Sequence, residues 1–192
     1  GQIEPSLQVQ GLPGLFLAGQ INGTSGYEEA AAQGWLAGVN AALYAHGQEP
    51  LVLRRDQSYI GVLVDDLVTK QHTEPYRLFT SRAEFRLLLR QDNADLRLAP
   101  LAHRLGLVSD AFMAAVERKR AAIEAEKARL EKLIIRPDER LRELLAARGL
   151  PAPAEPLPAA QLLRWPGIPY ELIASLWPPP SPLPPGAAET LE

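Results

Sequence analysis

A mainly helical fold is predicted for this 192-residue chain: the closing strand, turn and helix of an α/β nucleotide-binding domain, followed by a helical domain. Three observations predict it. A short apolar run stops at a glycine-rich turn, a helix rich in small residues follows that turn, and from Ser58 onward apolar residues recur mainly at helical spacing. With 46% hydrophobic residues the chain can bury a core, and its length suits one domain or two small ones.

Leu15 to Ala18 are apolar and too few for a helix, so they read as the strand. Gly19, Gly23 and Gly26 then free the backbone. Ser25 followed by Glu28 has capping-box spacing, which starts a helix with its amides and positive dipole end facing the turn. An anion or a polarised ring edge is favoured at that spot. The helix, from about Gly26 to Ala45, carries Ala30, Gly34, Gly38 and Ala42 at four-residue intervals, a face suited to close packing on a sheet. Gly47 is placed to end it. Capping accounts for Glu28 and solvation for Glu29, so neither reads as a catalytic acid or base. A polar connection follows, and the boundary is set near Pro50, giving domains 1–49 and 50–192.

In the second domain, Tyr59, Val62, Leu63 and Asp66 fit a helix over 58–69, with a strand left open by the valines and isoleucine. Ser81 and Glu84 form a second capping box, whose helix should run to about Arg90. Residues 92–95 are a turn, and a short helix from Pro100 to Leu105 ends at Gly106. The longest helix spans Asp110 to about Ile134, capped by Ser109, with Phe112, Val116, Ile123, Leu130 and Leu133 on one stripe. The basic run Arg118, Lys119 and Arg120 reads as part of its solvated face. Asp138 to Arg148 form a helix closed by Gly149, and residues from about 150 to 158 a proline-alternating linker. Two short helices, 159–164 and 169–176, flank Trp165-Pro166-Gly167, with Trp165 and Trp177 as anchors. Pro178 to Gly186 should be extended and mobile.

Composition excludes several kinds of chemistry. There is no cysteine, so disulfides, thiolate metal sites and cysteine nucleophiles are absent. His46, His72 and His103 are scattered, and the adjacent Asp65 and Asp66 point to different sides of a helix, so no metal site is expected. No apolar run approaches the roughly 20 residues of a membrane span, and the N-terminus lacks a signal pattern, which makes a cytoplasmic location the default. The chain opens Gly1-Gln2-Ile3 without a methionine, as an excised fragment would.

Gln20 is the first candidate for a cofactor contact, because a side-chain amide at the strand tip can both donate and accept. Gly19, Asn22, Gly23 and Thr24 supply turn geometry and backbone donors. A second group is basic: Arg82, Arg86 and Arg90 recur every four residues, with Arg77 just ahead, a ladder able to grip phosphates bidentately. From Lys70 to Arg104 there are seven Lys/Arg against four Asp/Glu, in a chain of net charge -3. Local pairing with Glu84 and Asp92 is the structural alternative.

The stretch AGQINGTSGYEEAAAQG (Ala18 to Gly34) resembles the last cofactor-contacting segment of the MnmG (GidA) family. SYIGVLVDDL, EPYRLFTSRAEFR and DNADLRL resemble the same family in the same order. The resemblance implies the end of an FAD-binding domain joined to a helical C-terminal domain, truncated at both ends, with catalytic residues unknown and the dinucleotide fingerprint absent. It implies a parent enzyme that uses FAD, NADH and a folate. With the GTPase MnmE, that enzyme adds a carboxymethylaminomethyl or aminomethyl group at C5 of the wobble uridine of tRNA. It further implies a homodimer, a flavin contact at Gln20, and tRNA binding or activity at Arg77 and Arg86. Neither DNA nor a membrane is an implied partner, and the fragment alone should be inactive. Two alternatives remain: a TrmFO-like folate-dependent tRNA methyltransferase, and a non-catalytic helical adaptor that binds RNA or protein.

Overall fold

The computed structural model describes residues 2–191, which fold as two compact units divided between Ala94 and Asp95. Sequence had set the boundary near Pro50, whereas residues 50–94 belong to the first unit. One reason is the fully buried side chain of Asn40. Its Nδ2 donates to the carbonyls of Ser6 (2.9 Å) and Leu51 (3.0 Å), and its Oδ1 accepts from the Leu51 amide at 2.6 Å. A buried amide with every bond made holds the segment after Pro50 against the helix that precedes it.

The first unit is built on two helices, α1 (Tyr27–Ala45) and α2 (Tyr59–Thr69). The predicted strand is an extended segment with one antiparallel bridge, Phe16 to Gln8, and a hydrogen bond from the Leu17 amide to the Leu7 carbonyl at 3.0 Å. A one-turn 3-10 helix, Gly19–Asn22, follows, and Gly23 closes it at φ 86°. The capping box does not form. Gly26 is the N-cap of α1, and no side chain caps that end.

The end of α1 is as expected. Gly47 adopts φ 65°, the Gly47 amide bonds Tyr44 O (3.0 Å) and the Gln48 amide bonds Leu43 O (2.9 Å), a Schellman closure. The small-residue face is not the buried one, because Gly34, Gly38 and Ala42 are exposed. Glu29, Gln33, Leu36, Ala37, Asn40 and Leu43 face inward instead.

Helix α2 is capped by Ser58, whose hydroxyl accepts from the Gly61 amide. It buries Val62, Leu63, Val64 and Leu67, each such side chain favouring the fold by about 1.5–3 kcal/mol. Gly61 is a point of close approach, since a Cβ there would run into the carbonyl of Arg54. Beyond α2 the predicted helix over 81–90 is absent. Residues 80–82 form a 3-10 turn and residues 84–88 are turns, with Ala83 and Leu89 packed on Val62.

The second unit is held by α4 (Asp110–Lys132), capped by Ser109 as predicted. Before it, α3 (Ala94–Arg104) is longer than expected and contains Pro100. The stretch read as a linker carries structure, because β1 (Ile134–Ile135) pairs antiparallel with β2 (Leu157–Pro158). Ile134 stands opposite Pro158 and Ile135 opposite Leu157, which brackets α5 (Glu139–Ala146). Short helices α6 (Ala159–Leu163), α7 (Tyr170–Leu176) and α8 (Ala187–Leu191) complete the unit. Its core joins Leu130, Ile135, Leu141, Leu145, Leu162 and Ile173, with Trp165, Trp177 and Leu183 partly buried against it. The inner stripe of α4 includes two charges the hydrophobic pattern hides. Lys119 pairs with Asp95 at 3.0 Å, and Glu126 with Arg129 at 2.6 Å and with the Tyr170 hydroxyl at 2.9 Å.

Candidate functional site

The glycine turn is organised by a residue outside it. Gln33, one helical turn after Glu29 and fully buried, accepts at Oε1 from the Gly19 amide (3.1 Å) and from Asn22 Nδ2 (2.8 Å). Its Nε2 donates to Thr24 Oγ1 (3.0 Å) and to the Glu29 carbonyl (3.1 Å). Asn22 Nδ2 also donates to the Leu17 carbonyl at 2.9 Å. Among the predicted contact residues, therefore, the Asn22 and Thr24 side chains and the Gly19 amide are engaged inside the turn. Gln20 is exposed, and its amide has no hydrogen-bond partner among the described residues.

A parallel bridge joins this turn to the strap formed by residues 72–78. The Tyr76 amide donates to the Gly23 carbonyl (2.8 Å), and the Ser25 amide donates to the Tyr76 carbonyl (3.2 Å). Between turn and strap lies a cleft of about 380 Å³, lined by Gln20, Gly23, Thr24, Ser25, His72, Thr73, Glu74 and Pro75. His72 Nε2 donates to the Asp66 carbonyl at 2.9 Å, which fixes the tautomer, and its ring stands edge-on to Tyr76.

Glu29 is buried, contrary to the expectation of a solvated carboxylate. Its Oε1 accepts from the Leu78 amide (2.9 Å) and from Arg77 Nε (3.3 Å), while Oε2 has no partner among the described residues and lies against Gly26. Burial acts to raise this carboxyl, but the backbone amides and Arg77 outweigh it and hold it below the ordinary range. Arg77 also pairs with the exposed Glu28 at 2.7 Å.

With Glu28 and Glu29 at the start of α1, its positive dipole end already faces two carboxylates. The cleft accordingly suits the neutral polar edge of a ring better than a bare anion. Gln20 offers both a donor and an acceptor there, and Gly23 has open space where a Cβ would stand. The residues present fit a flavin ring edge in this way.

The second unexpected centre is Arg55, in the stretch read as a polar connection. Its guanidinium bonds Glu84 through two nitrogens (2.7 and 2.8 Å), Asp65 (3.0 Å), Asp66 (2.6 Å) and the Arg82 carbonyl (3.0 Å). Asp66, 0% exposed, also accepts from Lys70 (2.6 Å) and from the Tyr76 hydroxyl (2.8 Å). Burial alone would raise its carboxyl. Hydrogen bonds from Lys70, Tyr76 and Arg55 lower it instead.

No helix aligns the four arginines. Arg77 is paired with Glu28 and Glu29, and Arg90 is held through two nitrogens by Asp92 (2.7 and 3.0 Å). Arg82 donates from Nε to the Arg77 carbonyl and lies 4.6 Å from the centre of the Tyr76 ring. Arg86 is exposed, and neither it nor Arg82 has a carboxylate partner among the described residues. Phe79, Phe85, Leu87 and Leu88 are exposed in the same segment. Glu84, expected near these arginines, is taken by Arg55. No group of three or more His, Cys, Asp or Glu suited to a metal ion occurs among the described residues, and no described helix is long and apolar enough to cross a membrane.

Sequence reasoning passed over Gln33, Asn40 and Arg55. The signal for the first two was present. Glu29, Gln33 and Asn40 fall at spacings of four and seven on the face that carries Leu36 and Leu43, a polar file on an otherwise apolar side.

The chain matches two domain profiles, the second of them from a class of tRNA-modifying enzymes. Residues 1–49 match "Glucose inhibited division protein A", and residues 110–192 match "tRNA modifying enzyme MnmG/GidA C-terminal helical domain". The tRNA uridine 5-carboxymethylaminomethyl modification enzyme MnmG of Bacillus subtilis is 51% identical over 100% of this chain, and that of Listeria welshimeri is 55% identical over 91% of it. A crystal structure of GidA from Aquifex aeolicus superposes with TM-score 0.83 at 42% identity over 99% of the chain. The chain belongs to the MnmG/GidA family. It spans 28–30% of the length of these relatives.

Proposed function

We propose that this chain is the part of a flavin-dependent tRNA-modifying enzyme that forms one wall of the FAD site and a share of the tRNA surface. The observation that carries the reading is the cleft beside Gln20. An internal network fixes the turn, and at its edge the Gln20 side-chain amide has no hydrogen-bond partner among the described residues. Gln20 holds the polar edge of the flavin ring, with Gly23 allowing close approach. Gln33, Asn22 and Thr24 keep the turn in shape. When bound, the flavin supplies redox chemistry, with NADH as reductant and a folate as one-carbon donor. The reaction adds a carboxymethylaminomethyl or aminomethyl group at C5 of the wobble uridine. MnmE and a second copy of the enzyme are its protein partners. The family matches support this whole-enzyme reading.

Phosphates of the tRNA are met by Arg82 and Arg86, the two arginines of the four with no carboxylate partner among the described residues. In the full-length protein, Gln20→Leu should release flavin on dialysis while tRNA affinity stays unchanged. Arg82→Ala and Arg86→Ala should keep flavin and each lower the slope of log affinity against log salt by about 1. Full flavin retention by Gln20→Leu would remove the cofactor role. Unchanged slopes in both arginine variants would remove the tRNA role.

A further inference from the structure

We infer that Arg77 is a positioning residue for the cofactor cleft, clamping the strap to the start of α1, and that it does not contact tRNA phosphate. The inference deepens the cofactor reading above and rests on it. Charge is the first argument. The Arg77 guanidinium stands against two carboxylates, Glu28 at 2.7 Å and Glu29 at 3.3 Å, so the cluster carries one positive and two negative charges. A phosphate approaching it meets a local excess of negative charge.

Geometry is the second argument. The Glu29 oxygen that holds Arg77 also accepts the Leu78 amide, so guanidinium and strap are fixed by one buried atom. Two residues earlier, Tyr76 is bridged to the turn through Gly23 and Ser25. At the other end of the strap, His72 is tied to the Asp66 carbonyl. Residues 72–75, which face Gln20 across the cleft, are thus suspended between two anchors, and Arg77 belongs to the second. Arg82, in turn, is placed by its bond to the Arg77 carbonyl, so the phosphate-facing group depends on this residue's backbone and not on its charge.

The test uses the full-length protein carrying Arg77→Ala, Arg77→Lys or Glu28→Gln, beside Arg86→Ala. Three quantities are measured: the flavin dissociation constant, the salt slope of tRNA affinity, and hydrogen exchange of the Tyr76 and Leu78 amides. Arg77→Ala, which removes the contacts to both Glu28 and Glu29 and so loosens one anchor of the strap, should weaken flavin retention roughly tenfold. It should also speed exchange at both amides and leave the salt slope as in the wild type. Arg77→Lys, which keeps the charge opposite Glu29, should recover part of the retention. Glu28→Gln, a mild change suited to an intact fold, should leave tRNA affinity unchanged, whereas a phosphate contact at Arg77 would tighten once that competing carboxylate is neutralised. A slope reduced by about 1 in Arg77→Ala, tighter tRNA binding in Glu28→Gln, or unaltered amide exchange in Arg77→Ala would each overturn the inference. If the wild-type protein bound no flavin, the cofactor reading would fall by itself, and amide exchange would still decide the clamp.

Discussion

The Tyr76 hydroxyl donates to Oδ2 of Asp66 at 2.8 Å, and this buried bond joins the middle of α2 to the strap that lines the cleft. The same carboxylate receives Arg55 and Lys70, so a single aspartate ties three separate stretches of the first unit together.

Acid should dissolve that junction. Asp66 and Glu29 are held below their ordinary values, and Glu84, paired with Arg55, is lowered to about 2. For groups depressed in the folded state, the stabilisation is complete above the unfolded pKa and is lost as pH falls through the folded one. Urea midpoints should therefore be flat from neutral pH down to about 5, then fall as pH drops from 4.5 toward 2. Asp66→Ala should cost about 3 kcal/mol at neutral pH. A midpoint still flat at pH 3 would contradict this.

Glycine at 61 and 26 should be intolerant for reasons of space and not of dihedral angle. A Cβ at 61 meets the Arg54 backbone carbonyl, and a Cβ at 26 meets the Glu29 carboxylate. Each alanine variant should lose about 1–3 kcal/mol in thermal or denaturant unfolding. Gly61→Ala should be the more severe, because backbone yields less than a side-chain end. Gly23→Ala meets no atom and should show only the strain of its positive φ.

Gln33→Leu should loosen the glycine turn, although Gln33 itself does not line the cleft. Removing the amide leaves the buried Thr24 hydroxyl and the Gly19 amide without their partner, at about 1–3 kcal/mol for each buried group left unpaired. Chemical-shift changes should centre on residues 19–24. Confinement of the changes to the neighbourhood of Leu36 would show that Gln33 only fills space.

These residues also mark how far the sequence could be read. The turn, α1, the cap at Ser109, the helix beginning near Asp138, and the stops at Gly47, Gly106 and Gly149 follow from local rules, and they were legible; α2 was read as a helix with a strand left open, and its cap at Ser58 was passed over. The capping boxes at 25 and 81 failed because tertiary partners claimed their members. Glu28 goes to Arg77, and Glu84 goes to Arg55, 29 positions away. The arginine ladder failed with the second box. The pairing of Ile134–Ile135 with Leu157–Pro158 was hidden because two-residue strands leave no alternating pattern. In the candidate site, Gln20 was legible as the residue at the turn's edge. Gln33 was passed over: its place in the polar file of α1 could be read, but its partners in the turn, as far as 14 positions away, are chosen by packing.

In the second unit, Tyr170 should titrate late. Burial, and then its hydrogen bond to Glu126, push the phenol up to about 12. A raised pKa gives stabilisation that is complete below the unfolded value of about 10 and is lost as pH rises toward 12. Alkaline unfolding should therefore be shallower in Tyr170→Phe, which should cost about 1 kcal/mol at neutral pH. In a spectrophotometric titration, Glu126→Gln should bring the phenol partway down, since burial persists. Ionisation of Tyr170 near 10 in the wild type would contradict the buried pairing.

The Gln33 network has a consequence for how this protein can change over generations. The shape of the turn is encoded by a side chain that no ligand reaches, while the side chain that faces outward, Gln20, supports none of that shape. Substitutions at position 20 can therefore be sampled without endangering the scaffold. A lineage acquiring a differently substituted ring would be expected to vary there first, with Gln33 left in place.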